Sequence, residues 1–134
     1  MKYFFLLFLM IGVLSTATGQ ANENRKLTQQ NAPEFAKRES DTLRIMLKLS
    51  NVQKAQVDSV EQAFLTKRAN IPEQVPAGQR TSIINGLVKW RREQLKQILT
   101  PAQLTLYDQL IEQRKQRAEN MRKTLEEKYR SSKG

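Results

Sequence analysis

The chain has 134 residues, 23 Lys+Arg against 13 Asp+Glu, 39% hydrophobic content, and neither Cys nor His. That length holds one small domain. Without Cys there is no thiol nucleophile, disulfide or thiolate metal site, and without His the commonest acid–base and metal-ligating side chain is missing, so the composition points to binding rather than catalysis.

The N-terminus reads as an address. Lys2 precedes the apolar run Tyr3 to Leu14, and Ser15 to Gly19 supplies small residues, with Ala17 and Gly19 spaced as signal peptidase reads them. The run is far shorter than the roughly 20 residues that span hydrocarbon, and a transit peptide would be Arg-rich and amphipathic. Residues 1–19 are therefore expected to be a cleaved secretory signal, which leaves a mature chain starting at Gln20 with net charge +9 after loss of one Lys. Residues 20–31 are polar and read as a flexible tail.

From Pro33 the apolar residues recur at helical spacing. Phe35, Leu43, Met46 and Leu47 mark a first helix. Val52, Val57, Val60 and Phe64 mark a second, over 50–70. Pro72, Pro76 and Gly78 remove donors and restrict φ, so residues 71–80 are expected to form a loop. A third helix is expected from about Thr81 to Leu99, with Ile84, Leu87, Val88, Leu95 and Ile98 on its stripe and Gly86 weakening it. A fourth runs from Pro101 toward Tyr129 along Leu104, Tyr107, Ile111, Ala118, Met121 and Leu125, with Arg114 on the same stripe. No segment alternates with period two. The expected fold is all-α, with one helical domain over 32–130 and a disordered end at 131–134.

Two segments share one pattern: Leu49-Ser50-Asn51-Val52-Gln53 and Leu99-Thr100-Pro101-Ala102-Gln103. Each reads as a capping box. The Ser50 or Thr100 hydroxyl accepts from the backbone N–H three residues on, and the Gln53 or Gln103 side chain reaches back to the cap's own N–H. Pro101 stands at the first helical position, where a missing donor costs nothing, and Leu49 and Leu99 precede their caps as a hydrophobic staple does. Each box follows a helix almost without linker and so marks a sharp corner.

Paired segments of this kind in a small exported helical chain resemble the Spy/CpxP family of periplasmic proteins, over about residues 32–130. The resemblance implies four helices in extended antiparallel hairpins, paired into a thin, cradle-like homodimer. It also implies a periplasmic location and one of two activities: an ATP-independent chaperone for unfolded or misfolded exported proteins, or an envelope-stress regulatory module recognising one folded partner. Ser50 stands where the family usually has Thr, and serves a cap equally well. The His- and acid-rich segments through which some relatives sense metals are absent from this chain.

The basic charge concentrates on the last two helices: residues 80–134 carry thirteen Lys/Arg and six Asp/Glu, against nine and six in 20–70. Arg91 and Arg114 fall on the apolar stripes of their helices. Their stems are expected to pack while the guanidinium groups stay in water, which with Arg117 and Arg122 makes a mixed cationic and apolar surface for unfolded chains. Trp90 reads as a core or interface residue. No P-loop or other phosphate cradle occurs. Nucleic acid is not an expected partner, since an exported chain without a base-reading motif does not fit one. Residues 114–130 are basic but too thinly apolar to insert stably in a membrane. No catalytic residue, cofactor or metal is expected.

Overall fold

The structure, a computed structural model, describes residues 26–134. The expected signal at 1–19 and the first part of the expected tail lie outside the described residues. The rest forms four α-helices, α1 (Ala32–Leu47), α2 (Asn51–Ala69), α3 (Ala77–Ile98) and α4 (Pro101–Ser132), with no strand among the described residues. No helix among them is long and apolar enough to cross a membrane.

α1 buries Ala32, Ala36, Ser40, Leu43 and Leu47. The expected stripe is thus shifted: Phe35 is half-buried and Met46 is 53% exposed. Small side chains let α1 approach α2 closely, and there the Ser40 hydroxyl donates to Asp58 Oδ1. Burial would raise the Asp58 pKa, but the Ser40 hydroxyl and the Lys54 ammonium, 2.9 Å away, overcome it and hold Asp58 below the usual carboxylate range. α1 ends on Lys48, whose φ of 52° is left-handed, and the Leu49 N–H donates to Arg44 O across 3.1 Å, a Schellman-type closure that satisfies an end carbonyl.

α2 buries Val57, Glu61 and Phe64 on one stripe, while Val52, in its first turn, is 70% exposed. Residues 70–76 then turn the chain into α3, which starts earlier than the expected Thr81. Pro76, at φ −57°, caps the helix, and its carbonyl accepts the first helical bond from Arg80 N at 2.9 Å. Pro76, at the cap, lacks a donor that this position does not use, and Gly78 is accommodated in the first turn.

α4 is continuous past Arg114 and past Tyr129, 32 residues in all, about 48 Å at the usual rise. Ser131 and Ser132 belong to it, in place of the expected disordered end. The described part of the expected tail is also structured locally: Thr28 N–H donates to Asn31 Oδ1 at 2.7 Å, and Lys26 pairs with Glu73 of the α2–α3 turn at 2.5 Å.

The core gathers at the two corners. Leu43, Leu47, Leu49, Val57, Leu95, Leu99 and Tyr107 form one cluster, flanked by Val60, Ile98, Leu104, Leu110 and Ile111. Both leucines that precede the capping residues are in it; at the second corner Leu104, four residues past the cap, flanks the cluster as a staple requires, whereas Lys54 takes that position at the first. α4 packs on α1 and α3 only through its first half.

Candidate functional site

Both boxes close as their sequences dictate. Ser50 Oγ accepts from Gln53 N at 3.1 Å and Gln53 Oε1 from Ser50 N at 3.1 Å. Thr100 Oγ1 accepts from Gln103 N at 3.2 Å and Gln103 Oε1 from Thr100 N at 3.0 Å. The fold adds what local chemistry does not contain: the two boxes hold each other. Gln53 Nε2 donates to Gln103 Oε1 at 2.7 Å and to the Ile98 carbonyl at 3.1 Å. Gln103 Nε2 donates to Gln53 Oε1 at 3.2 Å and to the Leu47 carbonyl at 3.2 Å. Each amide therefore caps its own helix and, at the same time, the end of the helix before the other corner. All the polar groups of the two amides are used, which suits their partly buried position.

Next to this lock lies an ionic cluster with one member from each helix: Glu39 on α1, Glu61 on α2, Arg91 on α3 and Arg114 on α4. Glu39 Oε1 accepts from Arg91 Nη2 at 3.1 Å and from Arg114 Nη1 at 2.6 Å. Arg91 Nε approaches Glu61 Oε1 to 2.9 Å, though without the alignment of a hydrogen bond. Its guanidinium carbon lies 4.7 Å from the centre of the Phe64 ring and 5.6 Å from that of Tyr107, both within cation–π range. Glu61 is fully buried. Burial pushes its pKa up to about 7, a rise that Arg91 only partly offsets. Burial likewise raises the Tyr107 hydroxyl.

These contacts correct the expectation for Arg91. Its guanidinium is not in water: the residue is 8% exposed and clamped between two carboxylates and two rings. A charge on an apolar stripe is buried only where opposite charges come to meet it, and here Glu39 and Glu61 do. The sequence held one sign of this, Glu61 between Val57 and Phe64 on the α2 stripe. Glu39 gave none, because it stands among the charged residues Lys37, Arg38 and Asp41. Arg114 is partly exposed at the cluster's edge, as expected of it, but its head pairs with Glu39. Arg117 and Arg122 are exposed, Arg122 with Glu126 at 3.1 Å. The four arginines thus divide into one structural residue, one bridging residue and two on open surface. Trp90 is half-buried under the Lys67 ammonium, 5.1 Å from the ring centre.

No protein-family model, curated protein or solved structure matches this chain.

Two of the open surfaces involve α4. A cleft of about 300 Å³ opens between α1 and α4, lined by Phe35, Arg38, Glu39, Thr42 and Arg114. Beyond it the second half of α4 contributes nothing to the core: Met121, Leu125 and Tyr129 are 67%, 60% and 62% exposed, among basic residues. Among the described residues no group of acidic side chains is arranged to hold a metal ion.

Proposed function

We propose that this chain is an exported, ATP-independent holdase of the periplasm, similar in kind to the Spy/CpxP family, which binds unfolded or misfolded exported proteins. Its hairpins pair with those of a second copy into a thin, curved homodimer, and the client lies against basic, partly apolar helix surface. The observation that carries the reading is the exposed half of α4, where large apolar side chains stand in water next to Arg117 and Arg122. Soluble proteins rarely leave a row of large apolar residues open without a use for it. Charge draws a chain in from a distance, and a narrow apolar strip then holds it weakly enough to release it without a nucleotide cycle. The interlocked corners support the family likeness, because they give its paired motifs a shared task.

The test is suppression of aggregation. The chain from residue 20 onward, at near-stoichiometric ratio and without ATP, is expected to keep several unrelated unfolded proteins in solution, less well as salt rises. Protection of none of them overturns the reading.

One observation favours the second reading, a regulatory module for one folded partner. The open stripe of α4 keeps a regular 3–4 spacing, as a defined helix partner requires and a miscellany of clients does not.

A further inference from the structure

We infer that the exposed half of α4 is a coiled-coil seam for an acidic amphipathic helix of another protein. The inference rests on the reading of the chain as a binder of other polypeptides and specifies what it binds.

Along α4 the residues Tyr107, Ile111, Arg114, Ala118, Met121 and Leu125 alternate in steps of four and three. The early positions of this seam are filled from within: Tyr107 is buried in the core, Ile111 packs against it, and Arg114 is tied to Glu39. From Ala118 onward the same seam continues uncovered, through Met121 and Leu125. Side chains at this spacing stay on one side of the helix, where a second helix can pack along them as Tyr107 and Ile111 already pack on their neighbours. An extended strand does not match that spacing. A lipid surface asks for a broad apolar face, and here the band is narrow and Lys128 falls on it at the next step.

The charges beside the seam decide which helix. Lys115, Arg117 and Arg122 occupy its immediate flanks, where coiled coils choose partners. The acids lie on the outer side: Glu112, Glu119 and Glu126 recur there at heptad spacing, with Glu127 beside them. A second copy laid on the seam in either direction would set bases against bases, so the homodimer of the functional reading uses another face. A helix with large apolar residues at 3–4 spacing and Asp or Glu on its flanks meets both the strip and the charges. The uncovered apolar stretch from Ala118 to Leu125 is about 10 Å long, one heptad, closed at one end by the Arg114–Glu39 pair and at the other by Lys128.

The experiment uses the chain from residue 20 onward and two labelled peptides of about three heptads with identical leucine seams, one with Glu on the flanks and one with Lys. Anisotropy at physiological salt is expected to show the Glu peptide binding at least about tenfold tighter, with a gain of helical circular dichroism on mixing. The double variant Met121→Ser/Leu125→Ser, which alters only exposed side chains, is expected to weaken the Glu peptide by about tenfold or more. Arg117→Glu/Arg122→Glu should reverse the preference. Equal binding of the two peptides overturns the inference. So does tighter binding to phosphatidylserine-containing vesicles than to the Glu peptide, or a Met121/Leu125 variant that falls from dimer to monomer in sedimentation. If neither peptide binds while aggregation is still suppressed, the seam is wrong and the holdase reading stands; if suppression is absent too, both fall.

Discussion

Gln53 and Gln103, fifty residues apart, donate to one another's side-chain oxygens at 2.7 and 3.2 Å while each caps its own helix. The contact converts two local helix starts into one long-range joint. Because each amide also donates to the carbonyl end of the helix preceding the other corner, α1, α2, α3 and α4 are all held at this point.

The joint has a measurable signature. Gln53→Ala or Gln103→Ala should each cost about 2 kcal/mol, since each removes a cap bond and leaves a carbonyl of the other corner without its donor. The double variant should cost about 1 kcal/mol less than the sum, because the shared bonds are lost only once. Urea unfolding of the three variants measures this, and strict additivity would mean that the two corners act independently.

Ser50→Ala and Thr100→Ala test the local half of the same device. Each hydroxyl accepts one bond from a backbone N–H, so each loss should cost about 1 kcal/mol. The corresponding Ser50→Thr change should be close to neutral, because either hydroxyl can make that bond.

The ionic cluster makes stability depend on pH. Glu61, with a pKa pushed from 4.5 up to about 7 by burial, binds more protons folded than unfolded between those values. Its contribution is therefore complete below the unfolded pKa and is lost as pH rises through about 7. Asp58 and Asp108 act in the opposite sense: the first is held low by Ser40 and Lys54 against burial, the second by the Arg92 fork at 2.8 and 2.9 Å. Their stabilisation is lost only in acid. Glu61→Gln should flatten the fall in melting temperature between pH 5 and 8, read by thermal unfolding across that range. An unchanged slope would remove Glu61 as its source.

Arg91 should behave as a core residue. Arg91→Ala leaves Glu61 buried opposite no cation and should cost about 3–5 kcal/mol, whereas the paired change Arg91→Met/Glu61→Leu should cost much less. Denaturant unfolding distinguishes them. Equal, small effects of both would mean that the cluster is solvated.

Two backbone positions have room for improvement. Lys48 adopts a left-handed φ of 52° that glycine takes without penalty, so Lys48→Gly should stabilise by about 1 kcal/mol. Gly86 lies inside α3, and a Cβ there would have no neighbour within 4 Å, so Gly86→Ala should stabilise by about 0.5–1 kcal/mol. Both shifts would appear as higher melting temperatures; a lower value would contradict the strain assigned to Lys48 or the open space around Gly86.

Much of this protein could be read from local chemistry. Helix type, the order of the four helices, the turn around Pro72 and Pro76, and both capping boxes follow from periodicity, proline geometry and hydroxyl-to-amide reach, all of which act within a few residues. The open stripe of α4 was also visible, as apolar residues at 3–4 spacing too sparse to be a core. Local rules did less well where a helix edge depends on neighbours. Met46 and Val52 fit their stripes but stay exposed, because Ala36 and Ser40 bring α1 close to α2 along a different line.

Tertiary structure alone decided the rest. Whether Arg91 points into water or into the core depends on Glu39 and Glu61, which lie on other helices and are brought to it only by folding. The same holds for the amides: each glutamine's cap follows from the spacing of four adjacent residues, but its second task, closing the opposite corner, exists only once residues fifty apart are in contact. Desolvation and charge pairing are properties of where a group ends up in space, and nothing in the spacing along the chain records that.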